Sequence, residues 1–199
     1  MKQKNLLLFL FLSLLFATPA GAQDFYASGN LGFGIRSDAT DTGGGGGRFI
    51  NDPAFVIQGA VGTHLDPSIR VEGEVAFHHN TAEIPPFIDQ FTFQVISFMG
   101  NGYLDLPTRS PVKPYLGAGV GFALSQLEDD IFGATVSDTD VVLAFQLMIG
   151  MNFEIFPGIT TTVGYRYFTT SDPGYNLGGT LIEVDYTSHD VLFGARFYF

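Results

Sequence analysis

The final nine residues of the chain, 191–199, alternate between two kinds of position. The odd positions are all apolar and include Phe193, Phe197 and Phe199, whereas the even positions carry leucine, glycine, Arg196 and tyrosine. Because successive side chains of a β-strand point to opposite sides, this period of two predicts a strand with two unlike faces. Any fold for this chain must therefore accommodate a strand that is apolar on one face and carries an arginine on the other.

Seven further segments show the same strand character. We predict eight strands, at 24–36, 54–64, 69–79, 90–105, 112–124, 140–155, 159–169 and 184–199. The alternation is least regular in the fourth segment, where Val95 and Met99 occupy one parity while Ile96 and Phe98 occupy the other. This irregularity predicts a weakly specified register or a β-bulge in that strand.

The positions of the charges indicate which way the strand faces point. Charged residues and a glutamine share the parity opposite the large apolar side chains, and they are Arg70, Glu72, Glu74, Gln146, Glu154, Arg166 and Arg196. A soluble barrel with a polar outer face would need many more charges. An arginine facing mid-bilayer lipid costs about 2–4 kcal/mol, so the charged parity is expected inside and the apolar parity against lipid. The sequence therefore predicts an all-β fold, an eight-stranded antiparallel up-and-down transmembrane β-barrel.

The connections between the strands agree with a barrel of this kind. Long connections alternate with short turns along the chain, and the long ones span 37–53, 80–89, 125–139 and 170–183. Outer-membrane barrels have short periplasmic turns and long external loops. We therefore expect both termini on the periplasmic side and four acidic external loops.

The size of such a barrel bears on what it can do. Eight strands enclose an interior just wide enough for side chains to fill it. Buried charges require partners, so we expect the inward charges to pair into a closed polar network. A narrow passive pore lined by the same residues is the alternative.

The N-terminal segment has the features of a secretory signal peptide. Two lysines precede an apolar run over 6–16, and Ala20-Gly21-Ala22 fits the cleavage pattern. We divide the chain into a signal peptide at 1–22 and an outer-membrane barrel at 23–199. An uncleaved anchor is the alternative, but the run is short for a spanning helix.

Composition narrows the range of partners and cofactors. The net charge of −11 argues against a nucleic-acid partner, because phosphate binding needs clustered Lys and Arg. The chain has no cysteine, so it has no disulfide and no cysteine-ligated metal. The acidic run 128–130 lacks the spacing of a calcium loop, and the glycine run 43–47 lacks the lysine and helix of a phosphate-binding loop. We expect no cofactor and no metal.

Ser188-His189-Asp190 is the segment that most invites a catalytic interpretation. A serine, a histidine and a carboxylate can perform acyl transfer, and lipid A modification is the reaction that an outer-membrane barrel of this size could serve. Adjacent strand residues point to opposite faces, so Ser188 and His189 cannot readily form a hydrogen bond. We therefore expect no catalytic residues and no enzyme, with a lipid A-modifying activity as the remaining alternative.

Three motifs resemble one family, the opacity-like and surface-antigen outer-membrane β-barrels. VKPYLGAGVG at 112–121 resembles that family's PYxGxGxG fifth strand, GYRYF at 164–168 its seventh strand, and NGYLD at 101–105 the end of its fourth strand. The resemblance covers the mature chain in the right order. It implies a porin-like barrel in the outer membrane of a Gram-negative cell, like the transmembrane barrel of outer-membrane protein A and expected to lack its periplasmic domain.

The resemblance also implies partners and a role. The aromatic terminal strand, with Phe193, Phe197 and Phe199, would be read by the barrel-assembly machinery. The surroundings would be outer-membrane lipid and lipopolysaccharide. Members of the family serve as surface antigens, adhesins or structural proteins, so we expect a structural or surface-interaction role, with a host or surface ligand bound by the external loops.

Overall fold

Eight long antiparallel strands form the fold in the computed structural model, which describes residues 25–36, 50–51, 54–83, 90–131, 134–171, 174–177, 180–183 and 186–199. The strands are β1 (Phe25–Arg36), β2 (Ala54–His64), β3 (Ile69–Glu83), β4 (Gln90–Asp105), β5 (Val112–Ile131), β6 (Ala134–Phe156), β7 (Ile159–Thr170) and β8 (Thr187–Tyr198). A short strand, Ile50–Asn51, pairs with the end of β3, and Gly174–Leu177 pairs with Thr180–Glu183 as a separate hairpin. The predicted signal peptide at 1–22 and the glycine run at 43–47 lie outside the described residues.

The long strands close into a barrel. Each pairs with the next along the chain, and β8 returns to pair with β1 from Tyr26↔Tyr198 to Arg36↔Ser188. The prediction of an eight-stranded antiparallel up-and-down barrel is confirmed. Closure gives every long strand a neighbour on each side over the wall. Beyond Glu128 of β5 and before Ala144 of β6, the registers that the structure describes pair these two strands only with each other.

The two faces of the wall differ as the alternation predicts. Outward side chains are large and apolar, and Phe33, Val141 and Leu147 are 60% exposed or more. Inward side chains are buried, and Arg70 and Arg166 are at most 2% exposed. Among the residues that the structure describes, no helix is long and apolar enough to cross a membrane.

The third long connection is shorter than predicted, and the expected loop at 125–139 is wrong for most of its length. β5 continues to Ile131 and β6 begins at Ala134, so the two strands pair through this region as one hairpin. The two strands are already aligned in the wall, and each further pair of residues satisfies backbone N–H and C=O groups. The acidic composition had favoured a loop. β3 likewise continues to Glu83, into the connection predicted at 80–89.

The register of β4 is regular, so of the two alternatives predicted for 90–105, a weakly specified register or a β-bulge, the bulge is wrong. β4 pairs with β3 without interruption, and the register irregularity of the wall lies between β6 and β7 at Glu154 and Phe156. Val95 and Met99 point inward with Ser97, while Ile96 and Phe98 point outward. The alternation of β4 is hard to interpret from the sequence because its inward side chains at this level of the barrel are themselves apolar.

Tight turns fix one end of the barrel, which we call the turn end, and the long connections mark the loop end. Pro157-Gly158 joins β6 to β7, and Gly158 has φ +82°, a conformation that favours glycine. Between β2 and β3, the Asp66 carboxylate accepts hydrogen bonds from the backbone N–H groups of Ser68 and Ile69 at 2.6 and 2.9 Å. These turns set the height at which the first inward residues of β3 and β7 enter the barrel.

Candidate functional site: the polar interior of the barrel

Arg166, on β7, is the centre of a buried ion-paired cluster near the middle of the barrel. Its Nε and Nη2 donate to Asp190 Oδ2 at 2.8 and 2.7 Å. Its Nη1 donates to Gln58 Oε1 at 2.8 Å and to Glu74 Oε1 at 3.3 Å, and its Nη2 lies 3.3 Å from His78 Nε2. One guanidinium thus joins strands β2, β3, β7 and β8 across the interior, and we call this group the Arg166 cluster.

Amides complete the surroundings of Glu74. Asn101 Nδ2 donates to Glu74 Oε2 at 2.8 Å, and Gln146 Nε2 donates to Asn101 Oδ1 at 2.7 Å. Glu74 is 2% exposed, so these donors replace the water that the carboxylate would otherwise bind. The Arg166 cluster therefore also reaches β4 and β6.

A second cluster surrounds Arg70, closer to the turn end. Arg70 Nε donates to Asp105 Oδ2 at 2.9 Å, and its Nη1 forms an ion pair with Glu72. Tyr26 OH donates to Glu72 Oε1 at 2.8 Å. The Arg70 guanidinium also lies 3.7 Å from the centroid of the Tyr103 ring, a cation–π contact. Arg70 and Arg166 are therefore each held by two carboxylates.

Arg196 lies nearer to the turn end of the barrel than Arg70 does. Its Nη1 donates to Tyr198 OH at 2.9 Å and its Nη2 to Asn152 Oδ1 at 3.2 Å. Asn152 Nδ2 in turn donates to Asp105 Oδ1 at 3.0 Å. Asn152 therefore connects Arg196 indirectly to the carboxylate that Arg70 binds.

Apolar side chains fill the interior toward the loop end. This apolar cluster consists of Val95, Met99, Ala123, Val142, Ala144, Phe168 and Tyr186. Phe168 and Ala144 are fully buried, and the His78 ring lies 4.9 Å from the Phe168 ring. The interior is thus layered, with an apolar layer between the loop end and the two charged clusters.

Inward glycines make room for the large side chains of the interior. A Cβ on Gly117 would lie 2.5 Å from the Tyr103 ring, and one on Gly150 would lie 2.6 Å from the Tyr115 ring. A Cβ on Gly164 would overlap the Tyr115 hydroxyl. The alternation of small and large inward residues lets the rings of β4 and β5 cross the interior.

Two cavities lie within the described part of the interior, and both are small. One of about 30 Å³ lies between the two clusters and is bordered by Ser28, Gln58, Arg70 and Thr162. Another, of about 60 Å³, lies at the turn end. Since one water needs about 10–15 Å³ of such space, each holds a few water molecules at most.

Six of the seven residues predicted for the interior network lie in it, and they are Arg70, Glu72, Glu74, Gln146, Arg166 and Arg196. Glu154 does not, because it is exposed at the end of β6, beside the register irregularity. Its parity places Glu154 on the inward face of β6, but the residue lies so near the turn end that its side chain stays exposed to solvent.

Several members of the network were missed from the sequence. Asp105 and Asp190 hold arginines, while Tyr26, Gln58 and Asn101 bind carboxylates or an arginine. All five share the inward parity of their strands, so the alternation could have identified them. For Asn101 and Asp105, the inward parity of β4 becomes clear only from the regular register in the structure.

The aromatic residues of the terminal strand face outward. Phe193, Phe197 and Phe199 are 53%, 52% and 42% exposed. Their role in recognition by the assembly machinery stays a prediction.

The three residues of the catalytic alternative are divided between the two faces. Ser188 and Asp190 are fully buried inside, where Ser188 donates to Asp190 and Asp190 binds Arg166. His189 lies on the outer face, with its Nδ1 2.5 Å from Tyr165 OH. Within the described part of the chain, no group of three or more His, Cys, Asp or Glu residues is arranged to hold a metal ion.

A closed antiparallel barrel with an apolar outer wall and an ion-paired interior defines the class of outer-membrane β-barrels. The family described as "Outer membrane protein beta-barrel domain" matches residues 7–199, and the chain belongs to this family.

Relatives and solved structures agree with the assignment. The chain is 25% identical over 201 residues to a Rickettsia conorii protein named "Putative adhesin RC1281", covering 90% of this chain and 75% of that protein. Neisserial surface protein A has the same fold, with a TM-score of 0.62 at 19% identity, over 88% of this chain and 97% of that one. Ail, the attachment invasion locus protein of Yersinia pestis, solved with the heparin analogue sucrose octasulfate, gives a TM-score of 0.50 at 17% identity, over 87% and 99%.

Proposed function

We propose that this outer-membrane protein acts outside the membrane, as a closed barrel whose external loops contact another surface in adhesion or antigenic display. The observation that carries the proposal is the filled interior. Arg166 and Arg70 are at most 2% exposed, and each joins several strands across the barrel. An interior held by buried ion pairs resists opening, because separating an arginine from its carboxylates leaves uncompensated buried charge. The name of the Rickettsia conorii relative is consistent with an adhesive role.

The charge of the long connections limits the chemistry of the partner. The loop-end segments 37–53, 80–89, 125–139 and 170–183, counted with the strand ends that extend into them, together contain eleven acidic residues and one basic residue, a net charge of −10. A sulfated polyanion, such as the heparin analogue bound to the Yersinia pestis protein, would be repelled by this charge. We therefore favour a partner with a basic surface.

The placement of the chain in the envelope belongs to the same proposal. The external loops leave the loop end of the barrel, and both termini lie on the periplasmic side. Outer-membrane lipid and lipopolysaccharide surround the apolar wall, and the barrel-assembly machinery inserts it after the segment 1–22 is removed.

Adhesion can be tested by display on a non-adherent Gram-negative host. Each long connection is shortened in turn, and retention of the cells on host cells and on beads bearing basic or sulfated polymers is measured. We expect the full-length protein to confer retention on host cells and basic beads, and at least one shortened variant to lose it. A shortened variant must still reach the outer membrane to count. Equal retention by cells without the protein would refute the proposal.

A narrow pore is the second candidate, because two small cavities lie within the interior. Conductance of the refolded protein in a planar lipid bilayer separates the two candidates. A closed interior predicts no defined current steps from protein shown to be folded and inserted. Reproducible steps from independent preparations would favour the pore.

A further inference from the structure

Near the loop end, strand β6 has one edge that the barrel wall does not cover. The registered pairing of β6 with β7 begins at Ala144, and one further contact joins the strands, in which Leu143 O accepts from Ser171 N at 2.8 Å. On its other side, β6 stays paired with β5 as far as Ala134. Among the residues that the structure describes, no strand is registered against the β7 side of 134–140. This stretch, which we call the open edge, is of the kind that a further strand can join.

The backbone groups of every second residue point to the open edge. Leu143 shows which ones, because its C=O accepts from Ser171 N and its N–H donates to Ser171 Oγ at 3.2 Å, both on the β7 side. The directions of N–H and C=O alternate with a period of two along an antiparallel strand, and the register between β5 and β6 is uninterrupted. The N–H and C=O groups of Thr135, Ser137 and Thr139 therefore point to the open edge, whereas those of the residues between them point to β5.

The open edge lies beyond the bilayer. A tilted strand crosses a bilayer in about 9–11 residues, and the part of β6 from 144 to 156 is long enough to do so. The hairpin of Gly174–Leu177 with Thr180–Glu183 comes within 8 Å of β6 between Cα atoms, but its described strands are paired only with each other. The open edge is therefore accessible from the loop end and not covered by lipid.

The charge of the β5–β6 hairpin indicates which strand would pair there. Residues 126–140 contain five acidic residues and no basic residue. A second copy of the chain would bring an edge of the same charge, and like charges opposite each other in a strand pair are destabilising. A segment rich in lysine or arginine brings the opposite charge. Charge complementarity therefore favours an extended basic segment over self-association.

We propose that the open edge of β6 binds an extended basic peptide segment of the partner, which pairs with Thr135, Ser137 and Thr139 as an added strand. The inference rests on the proposed adhesive function and specifies how the contact is made. In strand addition, main-chain hydrogen bonds supply the affinity. The segments that bind would therefore share an extended conformation and a basic charge, and they would not need one common sequence.

Amide hydrogen exchange, followed by NMR on the refolded protein without residues 1–22, tests the open edge directly. The amides of Thr135, Ser137 and Thr139 should exchange fast in the free protein, and those of Val136 and Asp138, which point to β5, more slowly. The probe is an octapeptide of alternating lysine and valine, and we expect it to slow the three edge amides several-fold. The same peptide methylated at every backbone nitrogen keeps the lysine charges and should have no such effect.

Each of the other outcomes overturns the proposal. Edge amides that exchange slowly in the free protein at every protein concentration would mean that the chain covers its own edge. Slow exchange that is lost on dilution would mean that a second copy is the occupant. Equal slowing by the two peptides would mean that charge alone attracts the probe. Unchanged exchange with the unmethylated peptide would mean that no strand is added.

One matched pair of variants connects the open edge to adhesion. Ser137→Pro removes an edge N–H and keeps the pairing with β5, because proline is tolerated where the N–H of a strand faces solvent. Ser137→Ala keeps that N–H and is the control. We expect Ser137→Pro to weaken peptide binding several-fold and to reduce the retention of displaying cells on host cells, and Ser137→Ala to do neither.

The retention assay separates failure of this inference from failure of the adhesive function. If both Ser137 variants are retained like the parent while a shortened connection abolishes retention, adhesion stands and the open edge is not its site. If cells displaying the parent are not retained at all, the adhesive function fails. The edge amides alone then decide whether the open edge binds basic chains.

Discussion

Arg166 shows how much one buried side chain can contribute to an interior of this kind. Replacing it with alanine leaves Asp190 and Glu74 buried without their cation. Removing one partner of a buried pair costs about 3–5 kcal/mol, and we expect Arg166→Ala to lower the free energy of unfolding by about that amount. Urea unfolding in lipid vesicles, followed by circular dichroism, measures the change. Arg109→Ala, in an exposed turn, is the matched control and should leave the midpoint unchanged.

Two carboxylates on the inward parity near the turn end provide a second comparison at the residue scale. Asp105→Asn weakens a charge-assisted bond from Arg70 at 2.9 Å, and we expect it to cost about 1.5–3 kcal/mol. Glu154 is exposed, so Glu154→Gln should leave the unfolding midpoint unchanged. The same urea unfolding experiment compares the two variants. Equal effects would contradict the separation of Glu154 from the network.

The face assignment of β4 is tested at the scale of the element. The chain has no cysteine, so single cysteines can be placed at each position from 95 to 102 and labelled with a fluorophore. Quenching by brominated lipid should be strong at the even positions and weak at the odd ones, because Ile96 and Phe98 face outward while Val95 and Met99 face inward. A bulge would shift the alternation by one residue partway along the strand, and such a shift would contradict the register.

The lengths of β5 and β6 are a second property of the elements. A tilted strand crosses a bilayer in about 9–11 residues. β5 has 20 residues and β6 has 23, so the hairpin that they form continues well past the bilayer. Its backbone pairing gives the acidic third connection a defined support, which the shorter β1 and β8 do not provide.

The orientation of the whole molecule leads to a further prediction. If both termini are periplasmic, protease added to intact cells should cut the long connections at 37–53 or 80–89 and spare the short turns at 106–111 and 157–158. Mass spectrometry of the fragments identifies the cuts, and permeabilised cells serve as the control. Cleavage at a short turn in intact cells would mean that the barrel is inserted the other way.

For the whole molecule, the sequence determined the strand count, the closed all-β architecture and the face of most side chains. It did so because a strand alternates its side chains with a period of two, so a parity that collects charges must avoid lipid. The alternation carries little information where both faces of a strand are apolar. The apolar cluster around Phe168 fills the loop end of the interior, so both parities of β4 are apolar there and the alternation does not show which one faces inward.

The tertiary structure alone decided which inward residues meet. Arg166 reaches Gln58, 108 residues away in the chain, and Asn152 reaches Asp105 across 47 residues. Parity fixes the direction of a side chain, but its height inside the barrel depends on the tilt and stagger of all eight strands. That stagger follows from the pairing of β8 with β1, which no local stretch of sequence encodes. It gives Arg70 and Arg166 their carboxylates and leaves Arg196 with none among the described residues.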